Sequence, residues 1–275
     1  MKPFLAAAIQ LDSGSCIEDN LRQAGALLDE AAARGAQVAA LPEYLHFVGP
    51  DRAEAVPDGQ TGHFLSGKAR QHGMWILGGT IFEKNPGGLP WNTSLLFAPD
   101  GSLAAAYRKL HLCDIIIPGG ITTQESARMV HGHRPATADA GELGKFGLTI
   151  CYDVRFPELF RLLALEGVHT FFVPADFGIK TGRAHRSLLL RARAVENGCY
   201  IIAPQQCGQS SAEGLSCGQS MIIDPWGDVL AQLDDGPGVI TATIDPNRCL
   251  QLRQQLGMFE NRRTDLYQIG WQPTK

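Results

Sequence analysis

The sequence predicts an α/β protein made as a single domain, with two mixed sheets covered by helices. Two observations carry this expectation. Short apolar runs alternate with segments of helical period along the whole chain. Crossovers of that kind alternate with hairpin turns, so parallel and antiparallel pairing should coexist. The 275 residues leave room for two domains at about 150 residues each. No linker or low-complexity tract divides them, so one domain over 1–275 is expected.

Residues 4–11 read as a buried strand and 13–15 as a turn. Ser15 and Glu18 fit an S-x-x-E capping box, which would satisfy orphan N–H groups at a helix start. Ile17, Leu21, Ala24, Leu28 and Ala31 then mark one helical face, and Gly35 stops the helix. Residues 38–41 follow as a strand ended by Pro42. Residues 64–72 are helical in character and 74–82 strand-like. Residues 91–97 and 103–107 flank a Pro-Asp-Gly turn and predict a hairpin. A long loop, including Pro118-Gly119-Gly120, is expected over 111–135, and such loops are usually functional. Strands are expected at 147–151, 170–173, 200–203, 220–223, 229–233 and 239–244. Helices are expected at 157–166, with Pro157 in the first turn, and at 183–197, closed by Gly198.

The charge balance is weakly acidic: 24 Lys and Arg against 28 Asp and Glu give −4. That excludes the basic surplus of a nucleic-acid binder. No apolar run approaches the roughly 18 residues of a spanning helix, so no membrane partner is expected. The apolar start is too short for a signal peptide. Seven cysteines, an odd number without C-x-x-C spacing, argue against a zinc framework or disulfide ladder. Reduced thiols and a cytoplasmic location follow as the simplest expectation.

Three residues carry candidate chemistry. Cys151 closes an apolar strand, and a helix starts six residues later. The end of a strand is where α/β enzymes place reacting groups. The Tyr152 N–H follows as a candidate donor to an oxyanion. A nucleophile and a small buried core residue both fit Cys151 locally. A thiol with an ordinary pKa near 8.5 needs a base. None of the eight histidines occupies an obvious strand end except His111, so a Cys–His pair is not demanded. Glu43, just after Leu41-Pro42, is a candidate general base or a surface carboxylate. Lys109, after Tyr107-Arg108, is a candidate oxyanion stabiliser or a solvated edge lysine.

Three blocks in order resemble the nitrilase superfamily of carbon–nitrogen hydrolases. They are Ala36-Gln-Val-Ala-Ala-Leu-Pro-Glu43, Tyr107-Arg-Lys-Leu-His-Leu-Cys-Asp114 and Ile150-Cys-Tyr-Asp-Val-Arg-Phe-Pro-Glu-Leu159. Further matches run to Arg262-Arg-Thr-Asp-Leu-Tyr267, so the resemblance covers the whole chain. Within the superfamily the chain looks most like the Nit-type amidases, the deaminated-glutathione amidases and ω-amidases.

The resemblance implies a four-layer α-β-β-α sandwich that associates into a homodimer or higher homo-oligomer. It implies Glu43 as general base, Lys109 as oxyanion stabiliser, Cys151 as nucleophile and Glu125 as the family's second glutamate. It implies a small-molecule amide substrate, hydrolysed through a thioester without cofactor or metal. The same three residues also serve nitrile and N-carbamoyl hydrolases, and a non-catalytic scaffold is a further alternative. The chain departs from the Nit pattern at Pro174-Ala-Asp-Phe177, where relatives commonly carry Pro-Ser-Ala-Phe, and at Arg186, where they usually carry Trp. Asp176 and Arg186 are expected to shape the substrate pocket or to pair with each other. Arg155, Arg183 and Arg186 are the candidate cations for a substrate carboxylate. Helices 157–166 and 183–197 are the expected dimer seam, through Leu159, Leu162, Leu163, Leu188, Leu189 and Ala192.

Overall fold

The first strand, β1 (Phe4–Gln10), buries both of its faces. Side chains alternate across a strand, so its two residue sets enter two different cores. Ala7, Ile9 and the following Leu11 pack with Leu21, Ala24, Leu28 and Ala31 of helix α1 (Ile17–Ala33). Leu65 and Ala69 of α2 (Gln60–His72) join the same cluster. Phe4, Ala6 and Ala8 belong to a second cluster with Phe146, Leu148, Phe171 and Phe172. The near-continuous apolar run of β1 is what a strand covered on both sides requires.

The computed structural model describes residues 1–45, 50–116, 122–209 and 214–272. After β1 come β2 (Val38–Ala40), β3 (Trp75–Leu77), β4 (Ile81–Asn85), β5 (Gly88–Phe97) and β6 (Leu103–Arg108). A short hairpin follows, β7 (Asp114–Ile116) with β8 (Thr122–Gln124). The second half holds β9 (Ala136–Asp139), β10 (Lys145–Leu148), helix α3 (Pro157–Leu165), β11 (Thr170–Phe172) and the single turn α4 (Ile179–Thr181). Helix α5 (Ser187–Asn197), β12 (Tyr200–Ala203), β13 (Met221–Ile223), β14 (Val229–Gln232), β15 (Gly238–Ile244) and helix α6 (Pro246–Gln255) complete it.

One sheet runs β15-β1-β2-β3-β5-β4, with β6 also on β5. The other runs β14-β13-β12-β11-β10-β9. Each has a parallel centre, β1-β2-β3 and β10-β11-β12, and antiparallel flanks. The sheets face each other across the second core cluster. Helices α1 and α2 cover the first sheet, while α3 and α5 pack together on the second. This is the four-layer α-β-β-α order, and the final strand β15 returns to pair with β1 over its full length.

Several elements differ from expectation. The Ser15/Glu18 capping box does not form: α1 begins at Ile17, one residue late for it, with Cys16 at the N-cap. Asn20 instead fastens the entry turn, giving and accepting hydrogen bonds at 2.8 Å with the Gly14 backbone. The expected strand at 74–82 is two strands, because the chain turns at Gly78-Gly79. Gly79 has φ of +62°, and a Cβ there would lie 1.9 Å from the Pro42 carbonyl oxygen. That close approach seats the chain directly behind Glu43. The long loop at 111–135 contains the β7–β8 hairpin, and its Pro118-Gly119-Gly120 lie outside the described residues. Residues 147–151 are strand only to Leu148; Cys151 opens a 3₁₀ turn, Cys151–Arg155. Gly182–Arg186 form a π-turn leading into α5.

Candidate active site

Two facing sheets bring the candidate residues to one place. Glu43 leaves the end of β2, Lys109 leaves the end of β6, and Cys151 follows β10. Exposure falls to 1% for Glu43, 0% for Lys109 and 8% for Cys151. The surface alternatives for Glu43 and Lys109 are thereby ruled out. Glu125, in the turn after β8, is 5% exposed and joins them.

Cys151 sits at φ of +44°, a left-handed conformation that costs a non-glycine residue about 1 kcal/mol or more. Its surroundings impose this geometry. The Cys151 N–H donates to the Pro174 carbonyl at 2.9 Å, and the Asp153 N–H closes the turn onto the Ile150 carbonyl at 2.9 Å. Strained backbone held by its neighbours is characteristic of reacting residues.

The polar contacts form a chain. Lys109 Nζ donates to Glu43 Oε1 at 2.9 Å and to Glu125 Oε1 at 2.8 Å. Asn92 Nδ2 donates to the same Glu43 Oε1 at 2.8 Å. The Asp176 N–H donates to Glu43 Oε2 at 3.0 Å, and the Cys151 thiol lies beside this carboxylate, close enough to act on its ionisation. Glu125 accepts from the Tyr44 hydroxyl at 2.9 Å and from the Cys113 N–H at 2.7 Å. Gln206 Nε2 donates to the Glu43 carbonyl at 2.8 Å and fixes the backbone from the far side.

The electrostatics separate the two carboxylates. Burial raises the Glu43 pKa, and the Glu125 charge adds to it against the pull of Lys109. Burial also opposes ionisation of Glu125. There the Lys109 charge and the donors Lys109, Cys113 N–H and Tyr44 win, so its pKa is lowered. Burial disfavours the Lys109 ammonium, yet the charges of Glu125 and Glu43 hold its pKa well above normal. The Cys151 thiol is pushed well up by burial and by Glu43. Burial and these charges therefore favour a neutral thiol beside a carboxylate of raised proton affinity, with a lysine ammonium between two acids.

The other expected site residues divide. Tyr152 follows Cys151 in the same turn. Asp176 reaches the site through its backbone N–H, while its carboxylate accepts from the Ser216 hydroxyl. Arg186 is 2% exposed, and its guanidinium is spent on carbonyls: Nη1 on Gln219 at 2.6 Å and Nη2 on Ala203 at 2.7 Å. It fastens two backbone segments and does not pair with Asp176 among the described residues, which corrects that expectation. Arg183 is exposed. Three residues that the sequence did not single out belong here: Asn92 and Tyr44, which donate to the two glutamates, and Asp153. A polar Asn-Thr-Ser run in the otherwise apolar β5 was the available signal for Asn92. Among the described residues no group of three or more His, Cys, Asp and Glu side chains could hold a metal ion.

A family model for carbon-nitrogen hydrolases matches residues 5–254. The chain belongs to the carbon–nitrogen hydrolase family. Among members of the family, it is 42% identical over 270 residues to a deaminated glutathione amidase of Synechocystis, covering 95% of this chain and 99% of that one. It is 39% identical to an omega-amidase of Bos taurus, covering 98% of each chain. The crystal structure of the C. elegans NitFhit protein matches with a TM-score of 0.89 at 36% identity, over 97% of this carbon–nitrogen hydrolase and 66% of that chain. Saccharomyces cerevisiae Nit3 matches with a TM-score of 0.85 at 30% identity, over 95% and 97% of the two chains.

Proposed function

We propose that this protein hydrolyses the terminal carboxamide of a small carboxylic acid, releasing ammonia through a Cys151 thioester. The observation that carries the reading is the Glu43 carboxylate, which meets Lys109, Asn92, the Asp176 N–H and the Cys151 thiol at once. Cys151 Sγ attacks the amide carbon as Glu43 takes the thiol proton. Lys109 and the Tyr152 N–H stabilise the tetrahedral oxyanion. Glu43 passes its proton to the amide nitrogen, the C–N bond breaks, and ammonia leaves a thioester. Glu43 then removes a proton from water, which attacks the thioester carbon. Collapse of the second oxyanion breaks the C–S bond, Glu43 passes its proton to the departing sulfur, and the acid leaves with thiol and carboxylate restored. Glu125 keeps Lys109 charged and in place throughout. A relative's name as deaminated glutathione amidase or omega-amidase supports the amide class.

A carboxylate at the far end of the substrate is assigned to Arg155. Its guanidinium lies 5.5 Å from the Tyr152 ring centroid and 5.9 Å from that of Phe177. Its Nε is buried without a hydrogen-bond partner among the described residues. Arg186, by contrast, is already satisfied. An ammonia-release panel of ω-amido acids, N-carbamoyl amino acids, nitriles and neutral amides tests the class. The ω-amido acids should turn over fastest, and preference for nitriles or carbamoyl compounds would overturn it. Arg155→Leu should raise KM for ω-amido acids about 10- to 100-fold, the range of one charge-assisted hydrogen-bonded contact. KM for a neutral amide should change little.

The same reading places the enzyme in the cytoplasm as a homodimer. Among the described residues the cysteines are thiols and not disulfides, as suits a reducing compartment. Leu159 and Leu163, expected in the dimer seam, are buried in the protomer's own core. The exposed apolar residues nearby are Leu188 and Val195, one heptad apart on α5, with Trp226, Val229 and Leu230 of the β13–β14 hairpin. Arg191 Nε donates to the Gly227 carbonyl at 2.7 Å and joins helix to hairpin. This continuous face is the seam we assign. Light scattering should give twice the 29.7 kDa chain mass, and Leu188→Glu should halve it. A wild-type protomer mass at micromolar concentration would contradict the assignment.

A further inference from the structure

We propose that Asp153 is a positioning residue, one carboxylate that holds Lys109 and Cys151 in mutual register. It is fully buried, yet it is not one of the reacting groups, nor one half of a Lys or Arg ion pair among the described residues. Its two oxygens accept four hydrogen bonds. Oδ2 takes the Tyr107 hydroxyl at 2.8 Å and the Ile150 N–H at 2.8 Å. Oδ1 takes the His111 N–H at 3.2 Å and His111 Nδ1 at 2.7 Å. A carboxylate only accepts, so His111 carries its proton on Nδ1 in this contact.

The placement of the donors makes the case. Tyr107 and His111 bracket Lys109 two residues before and two residues after it. Ile150 immediately precedes Cys151. Lys109 comes from the first sheet and Cys151 from the second, and this carboxylate joins the two segments beside the reacting groups. Asp153 is itself fixed. Its own N–H closes the Cys151 turn on Ile150, and Arg193 Nε holds the next carbonyl, that of Val154, at 2.8 Å. The His111 ring lies 3.7 Å from that of Phe156, nearly parallel at 8°. Burial and the Asp153 charge hold the Tyr107 phenol well above its normal pKa, so it remains a donor. A misplacement of about 1 Å between catalytic groups can cost about 10²-fold in rate.

The inference rests on the amidase reading. Its test uses the full chain and the amide that the wild type hydrolyses best. Asp153→Asn preserves volume but replaces one accepting oxygen with a donor. It should lower kcat about 10- to 100-fold while KM stays within about threefold. Tyr107→Phe removes one of the four bonds and should lower kcat about 3- to 10-fold. The double variant should lose less than the product of the two, because Tyr107 acts through Asp153. Alkylation of Cys151 by iodoacetamide, a readout independent of the natural substrate, should also slow in Asp153→Asn. If that variant does not fold, Tyr107→Phe and its KM against kcat split decide. Lower thermal stability with kcat unchanged, multiplicative losses, or a loss carried by KM would overturn the proposal. A wild type that hydrolyses no amide would instead overturn the proposed function.

Discussion

Cys151→Ala should abolish ammonia release, lowering kcat by at least about 10⁴-fold, the scale on which a lost nucleophile is felt. The fold should survive, because the change removes one sulfur from a residue held by its backbone. The other buried thiols cannot substitute. Burial pushes Cys207 and Cys249 up to about 12, so they are protonated at working pH. Cys199 is pushed up in the same way, and the carbonyls of Arg193 and Ala194 are what its thiol meets. Cys151 is also protonated at rest. What distinguishes it is Glu43 on one side and the Lys109 charge within reach. Activity assays with circular dichroism on the same sample check both halves. Substantial ammonia release from folded Cys151→Ala would refute the nucleophile.

Glu43→Gln should lower kcat about 10²- to 10⁴-fold, the usual worth of a positioned general base. The pH profile gives the sharper reading. Glu43 must be ionised to take the thiol proton, and its pKa is raised by burial. Activity should therefore fall as pH drops through a value above the ordinary carboxylate range near 4.5. Lys109 is raised well above 10.5, so its ammonium persists through neutral and mildly alkaline pH. The acid limb of kcat/KM should vanish from the residual rate of Glu43→Gln. It should remain in Glu125→Gln, since Glu125 is lowered and already ionised there. An acid limb unchanged in Glu43→Gln would move the proton acceptor elsewhere.

The sequence made some of this site legible and hid the rest for a physical reason. Glu43, Lys109 and Cys151 each follow a strand, and strand ends can be read locally. Glu125 lies in a short turn after β8, so only resemblance pointed to it. Asn92 is 49 positions from Glu43, and Asp153 is 46 from Tyr107. Their roles exist only after two sheets have met, and no local pattern encodes that meeting. Arg186 shows the opposite error. Its charge suggested a ligand, but a buried guanidinium was needed to satisfy two backbone carbonyls.

The fold divides in the same way. The alternating cores of β1 follow from its unbroken apolar run. The division of 74–82 into β3 and β4 turns on a contact between Gly79 and Pro42, which sequence spacing does not reveal. Helix α6 had a readable signal: Asp245 caps the Asn247 N–H at 3.0 Å, and Pro246 occupies the first turn. The strand β9 had no such marker, and its pairing with β10 defines it.

The proposed amide hydrolysis passes through a thioester on Cys151. Acid-quenching the enzyme during steady turnover of an ω-amido acid, then locating the acyl group by peptide mass spectrometry, addresses it directly. The acyl mass is expected on the peptide containing Cys151 and should be absent from Cys151→Ala. An acyl group on Cys113 or Cys199 in the working enzyme would contradict it.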